Sequence, residues 1–273
     1  MRYILNLVLV CLSFILINCN PEDPEPAKMP PTATEKEPAA DAHANSPDEN
    51  IPPSAFPDSA FYRPGEFNNL PYQIMFPRGY DSTKAYPIVI FLHGIDERGT
   101  DNQKQLIWGA SLFKSDSISR KYPSFVVFPQ CPTTNRWRDD SILESLKGLI
   151  DHLVNTKSID PKRIYIEGLS MGAYGVYAMV AKYPDIFAAA VAISGDGDET
   201  KANVMAKAAW KIYGGRKDTI VPATKSEKMA AALLGSGATV SVKIYPNADH
   251  VHSWINAFAE PDYCSWIYSR SKD

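Results

Sequence analysis

The chain has 273 residues, 45% of them hydrophobic and 22% charged, with a formal net charge of −3. That balance is ordinary for a globular protein. With no Lys/Arg block anywhere, it excludes an electrostatic case for nucleic acid as a partner. The first ~55 residues differ from the rest and leave roughly 220 for folding, enough for one domain with a buried sheet and not for two.

Met1 and Arg2 supply a positive start. The apolar run over 3–17 is broken only by Asn6 and Ser13, the build of a signal-peptide core and slightly short for a bilayer span. It ends in Leu16-Ile17-Asn18-Cys19. That ending resembles the lipobox of bacterial lipoproteins, in which the Cys is lipidated and becomes the first mature residue. Asn18 stands where Gly, Ala or Ser is usual, so an ordinary signal peptide is the alternative. Residues 20–57 are rich in Pro, Ala, Glu and Asp and nearly empty of large apolar side chains. Such a stretch cannot bury enough surface to offset its ordering entropy. It predicts an extended tether holding a folded domain, 58–273, away from a membrane. The acidic residues behind Cys19 resemble signals that send some Gram-negative lipoproteins to the outer surface. The expected location is therefore outside the cell interior, lipid-anchored to the outer membrane on its periplasmic or cell-surface face.

Of four cysteines, Cys11 lies in the leader and Cys19 in the lipobox. Cys131 and Cys264 remain for the folded part, as a disulfide in an oxidising compartment or as two separate thiols. Their spacing suggests no metal site.

From there the pattern alternates strand and helix. Residues 72–76 read as a strand. Residues 86–92 (Y-P-I-V-I-F-L) form an apolar run too short for a helix, as in a strand covered on both faces. A helix over 103–113 follows, then a strand over 124–128. Residues 141–155 carry Ile142, Leu143, Leu146, Leu149, Ile150 and Leu153 at helical spacing. Next come a strand over 163–167, a helix over 170–182, strands over 187–194 and 209–213, and a helix over 222–234 with Pro at its start. A strand over 240–245 and a closing helix over 257–268 complete the chain. This order implies an α/β protein with a doubly wound, mostly parallel sheet and helices on both faces. Sites in such sheets form at the carboxyl ends of strands.

The loop after Glu167 is Gly168-Leu169-Ser170-Met171-Gly172. A sharp turn from strand to helix leaves the Ser170 hydroxyl exposed above the sheet, and side chains at 168 or 172 would clash in it. A nucleophilic Ser needs a base, and the base an orienting acid. Asp218, in the loop after 209–213, is the candidate acid; Asp196 and Asp198, one strand earlier, compete. The loop after 240–245 holds His250 and His252, one of them the base and the other a neighbour that lines the site or caps the last helix. The developing oxyanion needs two N–H donors. Met171, next to the nucleophile, supplies one. Ile95 supplies the other, in a loop where Gly94 lets the backbone come close. His93 orders that loop. Glu97, Arg98, Asp101 and Asn102 form a structural network beside it or touch substrate. Trp137 and Trp254 are candidates for stacking on a sugar or aromatic acyl group.

Several segments together resemble one family. F-L-H-G-I-D-E-R-G-T-D-N (91–102), F-P-Q-C-P (128–132) followed by Trp137, G-L-S-M-G-A-Y-G (168–175), G-G-R-K-D-T-I-V-P (214–222) and Y-P-N-A-D-H (245–250) are similar to segments of α/β-hydrolases of the esterase and predicted-peptidase type. These are relatives of esterase D, polyhydroxybutyrate-depolymerase-like enzymes and carbohydrate esterase family one. The resemblance spans about 60–270. Asp96 departs from the family's Gly, and the histidine loop carries one extra residue before Trp254. The resemblance implies the α/β-hydrolase fold, a triad of Ser170, Asp218 and His250, and no cofactor. It also implies hydrolysis of small or polysaccharide-linked esters, acetyl or feruloyl groups among them. Two other readings stand beside it: a serine peptidase of the prolyl-oligopeptidase type, and a catalytically silent glycan-binding lipoprotein.

Overall fold

The computed structural model describes residues 61–272. The leader, Cys19 and the 20–57 tether expected from the sequence lie outside them. Eight strands make one sheet: β1 (Arg63–Phe67), β2 (Leu70–Met75), β3 (Tyr86–Leu92), β4 (Phe125–Pro129), β5 (Ile159–Leu169), β6 (Ala189–Ile193), β7 (Ala209–Gly215) and β8 (Val240–Tyr245). Their spatial order is β1-β2-β4-β3-β5-β6-β7-β8. The first two strands join antiparallel, and all pairings from β4 to β8 are parallel.

The apolar runs explain the order. Every residue of β3, β4 and β6 is buried, as strands with helices on both faces must be. Along β3 the side chains alternate. Ile88, Ile90 and Leu92 join the core on one face, and Val89 and Phe91 the core on the other. The edge strand β8 exposes Ser241, Val242 and Lys243.

The helices are α1 (Ala110–Lys114), α2 (Asp116–Lys121), α3 (Asp140–Thr156), α4 (Met171–Lys182), α5 (Ala202–Met205), α6 (Ala223–Gly235), α7 (His250–Phe258) and α8 (Tyr263–Tyr268). All six apolar residues that marked the 141–155 helix are buried on α3. Two predicted helices differ. The one expected over 103–113 is a single 3-10 turn at Lys104–Leu106 and the short α1. Gly109 lies between them at φ 79°, and a Cβ there would stand 2.5 Å from the Phe91 ring. Packing on β3 thus interrupts the helix. The closing helix begins earlier, at His250, and breaks before Pro261, so α7 and α8 replace one long element. β1 and α2 went unread because Arg63–Phe67 is largely exposed and Asp116–Lys121 buries only Ser119.

Cys131 and Cys264 are separate, buried free thiols. Burial pushes each up to about 12, far from the thiolate form.

One polar group sits in the core beneath the sheet's carboxyl end. Glu167 is fully buried on β5. The Tyr263 hydroxyl donates to its Oε2 at 3.0 Å, and Oε1 has no partner among the described residues. Burial pushes its carboxyl up to about 8. Between the ordinary carboxylate range and that value the folded chain holds a proton that the unfolded chain has released. Stability therefore falls as pH rises through this window. Glu167→Gln is expected to be more stable than wild type at pH 9, by roughly 1–3 kcal/mol, with the difference vanishing near pH 4. Urea unfolding at the two pH values measures it.

Candidate active site

Ser170 lies between β5 and α4 at φ 51°, ψ −123°, a region non-glycine residues rarely occupy. The strain is held by close packing on both sides. A Cβ on Gly172 would lie 1.9 Å from the Leu92 carbonyl oxygen, and one on Gly168 would lie 2.6 Å from the Gly172 backbone. The Ser170 N–H donates to Ile193 O at 2.9 Å, which ties the turn to β6. The result presents the hydroxyl at the N-terminus of α4. Met171 opens that helix, so its N–H has no intrahelical carbonyl to bond.

His250 and Asp218 reach Ser170 from two other strand ends. The Ser170 hydroxyl donates to His250 Nε2 at 2.9 Å. His250 Nδ1 donates to Asp218 Oδ2 at 2.7 Å. The other oxygen, Asp218 Oδ1, accepts the N–H groups of Ile220 (2.9 Å) and Val221 (2.8 Å). The Asp218 side chain has 0% exposure and that of His250 10%. A carboxylate that only accepts requires the proton on Nδ1, which leaves the Nε2 lone pair toward Ser170. The competing acids are elsewhere. Asp196 pairs with Lys225 at 3.1 Å, and Asp198 caps a 3-10 turn through Thr200. His252 is not a neighbour of Ser170's hydrogen bond. Its ring bonds to Asp249 Oδ1 at 2.8 Å, and the same oxygen caps α7. Asp249 is the cap of α7, and His252 is its partner on the exposed first turn of that helix.

The loop after β3 is clamped group by group. The Trp137 indole donates to the His93 carbonyl at 2.9 Å. His93 Nδ1 donates to the Gly94 carbonyl at 2.6 Å, and the Cys131 N–H donates to His93 Nε2 at 3.0 Å. Burial pushes His93 down to about 4, so the ring is neutral and its tautomer is set by these partners. In a planar trans peptide the C=O and N–H point in opposite directions. Fixing the Gly94 carbonyl toward His93 therefore turns the Ile95 N–H away from it. A Cβ on Gly94 would lie 3.8 Å from Ser170 Cβ, so this backbone passes beside Ser170.

Arg98 donates to the carbonyls of Ile95, Thr133 and Asn135. Gln130 donates to Glu97 O and Asp101 Oδ1 and accepts the Asn102 N–H. Arg98, Asp101 and Asn102 thus form the structural network the sequence offered as one alternative. Trp137 is a correction. It is fully buried, and its ring packs on His93 at 4.9 Å, so no face is left for a sugar. Trp254 is 4% exposed and stands edge-on to His250 at 5.0 Å, which makes it a brace for that ring. Sequence reading missed Trp108, whose ring meets Trp254 at 5.7 Å, and the role of Gln130. A polar residue closing a fully buried strand was the available signal for Gln130.

Residues 131–263 match the dienelactone hydrolase family. Over 122 residues the chain is 33% identical to poly(3-hydroxyalkanoate) depolymerase C of Paucimonas lemoignei, covering 40% of this chain and 28% of that protein. Over 79 residues it is 30% identical to feruloyl esterase B of Talaromyces funiculosus, covering 29% and 22%. The match spans less than a third of either relative's length. A crystal structure of a thermostable esterase superposes with a TM-score of 0.75 at 29% identity, covering 78% of this chain and 64% of that one. The fold is that of the α/β-hydrolases, and the sequence resemblance to this group of esterases holds.

Gly172→Ala is expected to fail at the elbow. Its Cβ meets backbone that cannot yield, so thermal or urea unfolding should show a loss of at least ~3 kcal/mol, or no soluble protein.

Proposed function

We propose that the protein is a serine esterase, with Ser170 as nucleophile, His250 as general base and acid, and Asp218 as the group that orients His250. The single observation that carries this reading is the continuous hydrogen-bond chain from Ser170 Oγ through both His250 nitrogens to Asp218. His250 takes the Ser170 proton as Oγ attacks the ester carbonyl. The N–H groups of Met171 and Ile95 receive the oxyanion. His250 then protonates the leaving alcohol, and water, activated by the same ring, releases the acid from Ser170. The substrates are acyl esters, with acetyl and feruloyl groups on polysaccharides as the preferred class. Similarity to a feruloyl esterase supports that choice.

Ser170→Ala or His250→Ala is expected to lower kcat on p-nitrophenyl acetate or methyl ferulate by ~10⁴–10⁶, while His252→Ala stays within about threefold. A steady-state panel on purified variants checks both. Equal loss in His252→Ala would remove His250 from the role of base.

The same reading places the enzyme outside the cell interior, held by lipid on Cys19 and set off from the outer membrane by residues 20–57. Cys19→Ser is expected to move the protein from the membrane to the soluble fraction. Membrane association that survived the substitution would contradict the anchor.

A further inference from the structure

Glu97 is a buried carboxyl of the oxyanion loop whose side chain the structural network does not absorb. Its side chain is buried, with 6% exposure for the residue, and it folds back against Gly94. A Cβ on Gly94 would lie 2.9 Å from Glu97 Oε2. The donors nearest the carboxyl are the Gly94 N–H, its own N–H and the Trp108 side chain, and each favours its ionised form.

These contacts complete a pattern across two consecutive peptides. In the peptide from His93 to Gly94, the carbonyl is held by Trp137, and the Glu97 carboxyl lies against Gly94 beside its N–H. In the next peptide the carbonyl is held by His93. Both carbonyls are hydrogen-bonded and the first N–H faces a carboxyl, which leaves the Ile95 N–H. Trp108 extends the contact further, since it packs on Trp254, which packs on His250.

We propose that Glu97 is a positioning residue: its carboxylate clamps the Gly94 N–H so that the Ile95 N–H is presented to the oxyanion, and through Trp108 and Trp254 it braces the His250 ring. This rests on the reading of Ser170, His250 and Ile95 given above. The partners select the ionised form. All are donors, and a protonated carboxyl would bring an O–H with no acceptor among them. Burial and the charge of Asp96 nevertheless push the group up to about 7. Other charges around it are committed elsewhere. Arg98 turns to three backbone carbonyls, Lys104 pairs with Asp101 at 3.8 Å, His93 is neutral, and His250 faces it only through the two tryptophans. As pH falls through neutrality Glu97 gains a proton and the clamp weakens, so activity needs this group deprotonated.

The test is steady-state hydrolysis of p-nitrophenyl acetate across pH 5–9 by wild type, Glu97→Gln, Glu97→Ala, Trp108→Phe and Ser170→Ala, with fluorophosphonate labelling of Ser170 to count folded sites. At pH 8, kcat is expected to fall roughly 10-fold in Glu97→Gln and roughly 100-fold in Glu97→Ala, with KM within about twofold. On the acid side, log kcat/KM of wild type should fall more steeply with pH than that of Glu97→Gln. Trp108→Phe keeps the ring but removes a donor to the carboxylate, so its acid limb should move to higher pH. Unchanged kcat with an unchanged limb in Glu97→Gln, or a loss confined to KM, overturns the proposal. If neither Glu97 variant labels with fluorophosphonate, the Trp108→Phe limb decides, and a limb that stays in place overturns it. Full activity in Ser170→Ala would instead sink the esterase reading itself.

Discussion

The rest of the site depends on how close the turn after β5 comes to the end of β3. The Gly172 Cα lies so near the Leu92 carbonyl that no side chain fits. That proximity keeps Ser170 at φ 51°, a conformation that costs of order 1–3 kcal/mol and persists only where the surroundings allow nothing else. The surroundings here are two fully buried strands and a helix packed on both. A rigid core below the turn therefore holds the hydroxyl in one place and hands the N-terminus of α4 to whatever forms beside it.

The same closeness joins the elbow to the loop after β3. A Cβ on Gly172 would also lie 2.8 Å from the His93 carbonyl oxygen, the atom that Trp137 holds. The nucleophile and the backbone beside it are thus two sides of one packed layer. Trp137, His93, Arg98 and Gln130 spend most of their polar groups on backbone atoms of that layer. Few side chains bond to Ser170, and most of the conspicuous ones near it act as supports for main-chain direction. This is why aromatic residues that looked like substrate platforms turned out to be buried braces.

Much of the architecture was legible because burial writes itself into short runs. β3 and β8 have the bounds expected from their apolar pattern, and α3 and α6 differ from expectation by a residue at each end. The errors share a cause. The 103–113 helix and the 257–268 helix were read from local composition, yet Gly109 is governed by the Phe91 ring and α7 by the position of His250. Neither constraint is local. β1 and α2 carried weak patterns because each buries little.

What the sequence determined by itself was the layered α/β order, the strand–Ser–helix turn and the short set of loops at strand ends, since these follow from periodicity and from glycine positions within a few residues. It left open which of two histidines and which of three aspartates meet Ser170. Residues 170, 218 and 250 come from three separate strand ends, and only tertiary packing brings their atoms to within 3 Å of one another's partners. His252 is two residues from His250, but two helical steps, about 200° of rotation, turn it to Asp249 and solvent. Chemistry of this kind is decided by direction as well as by distance along the chain, and direction is set by the sheet beneath.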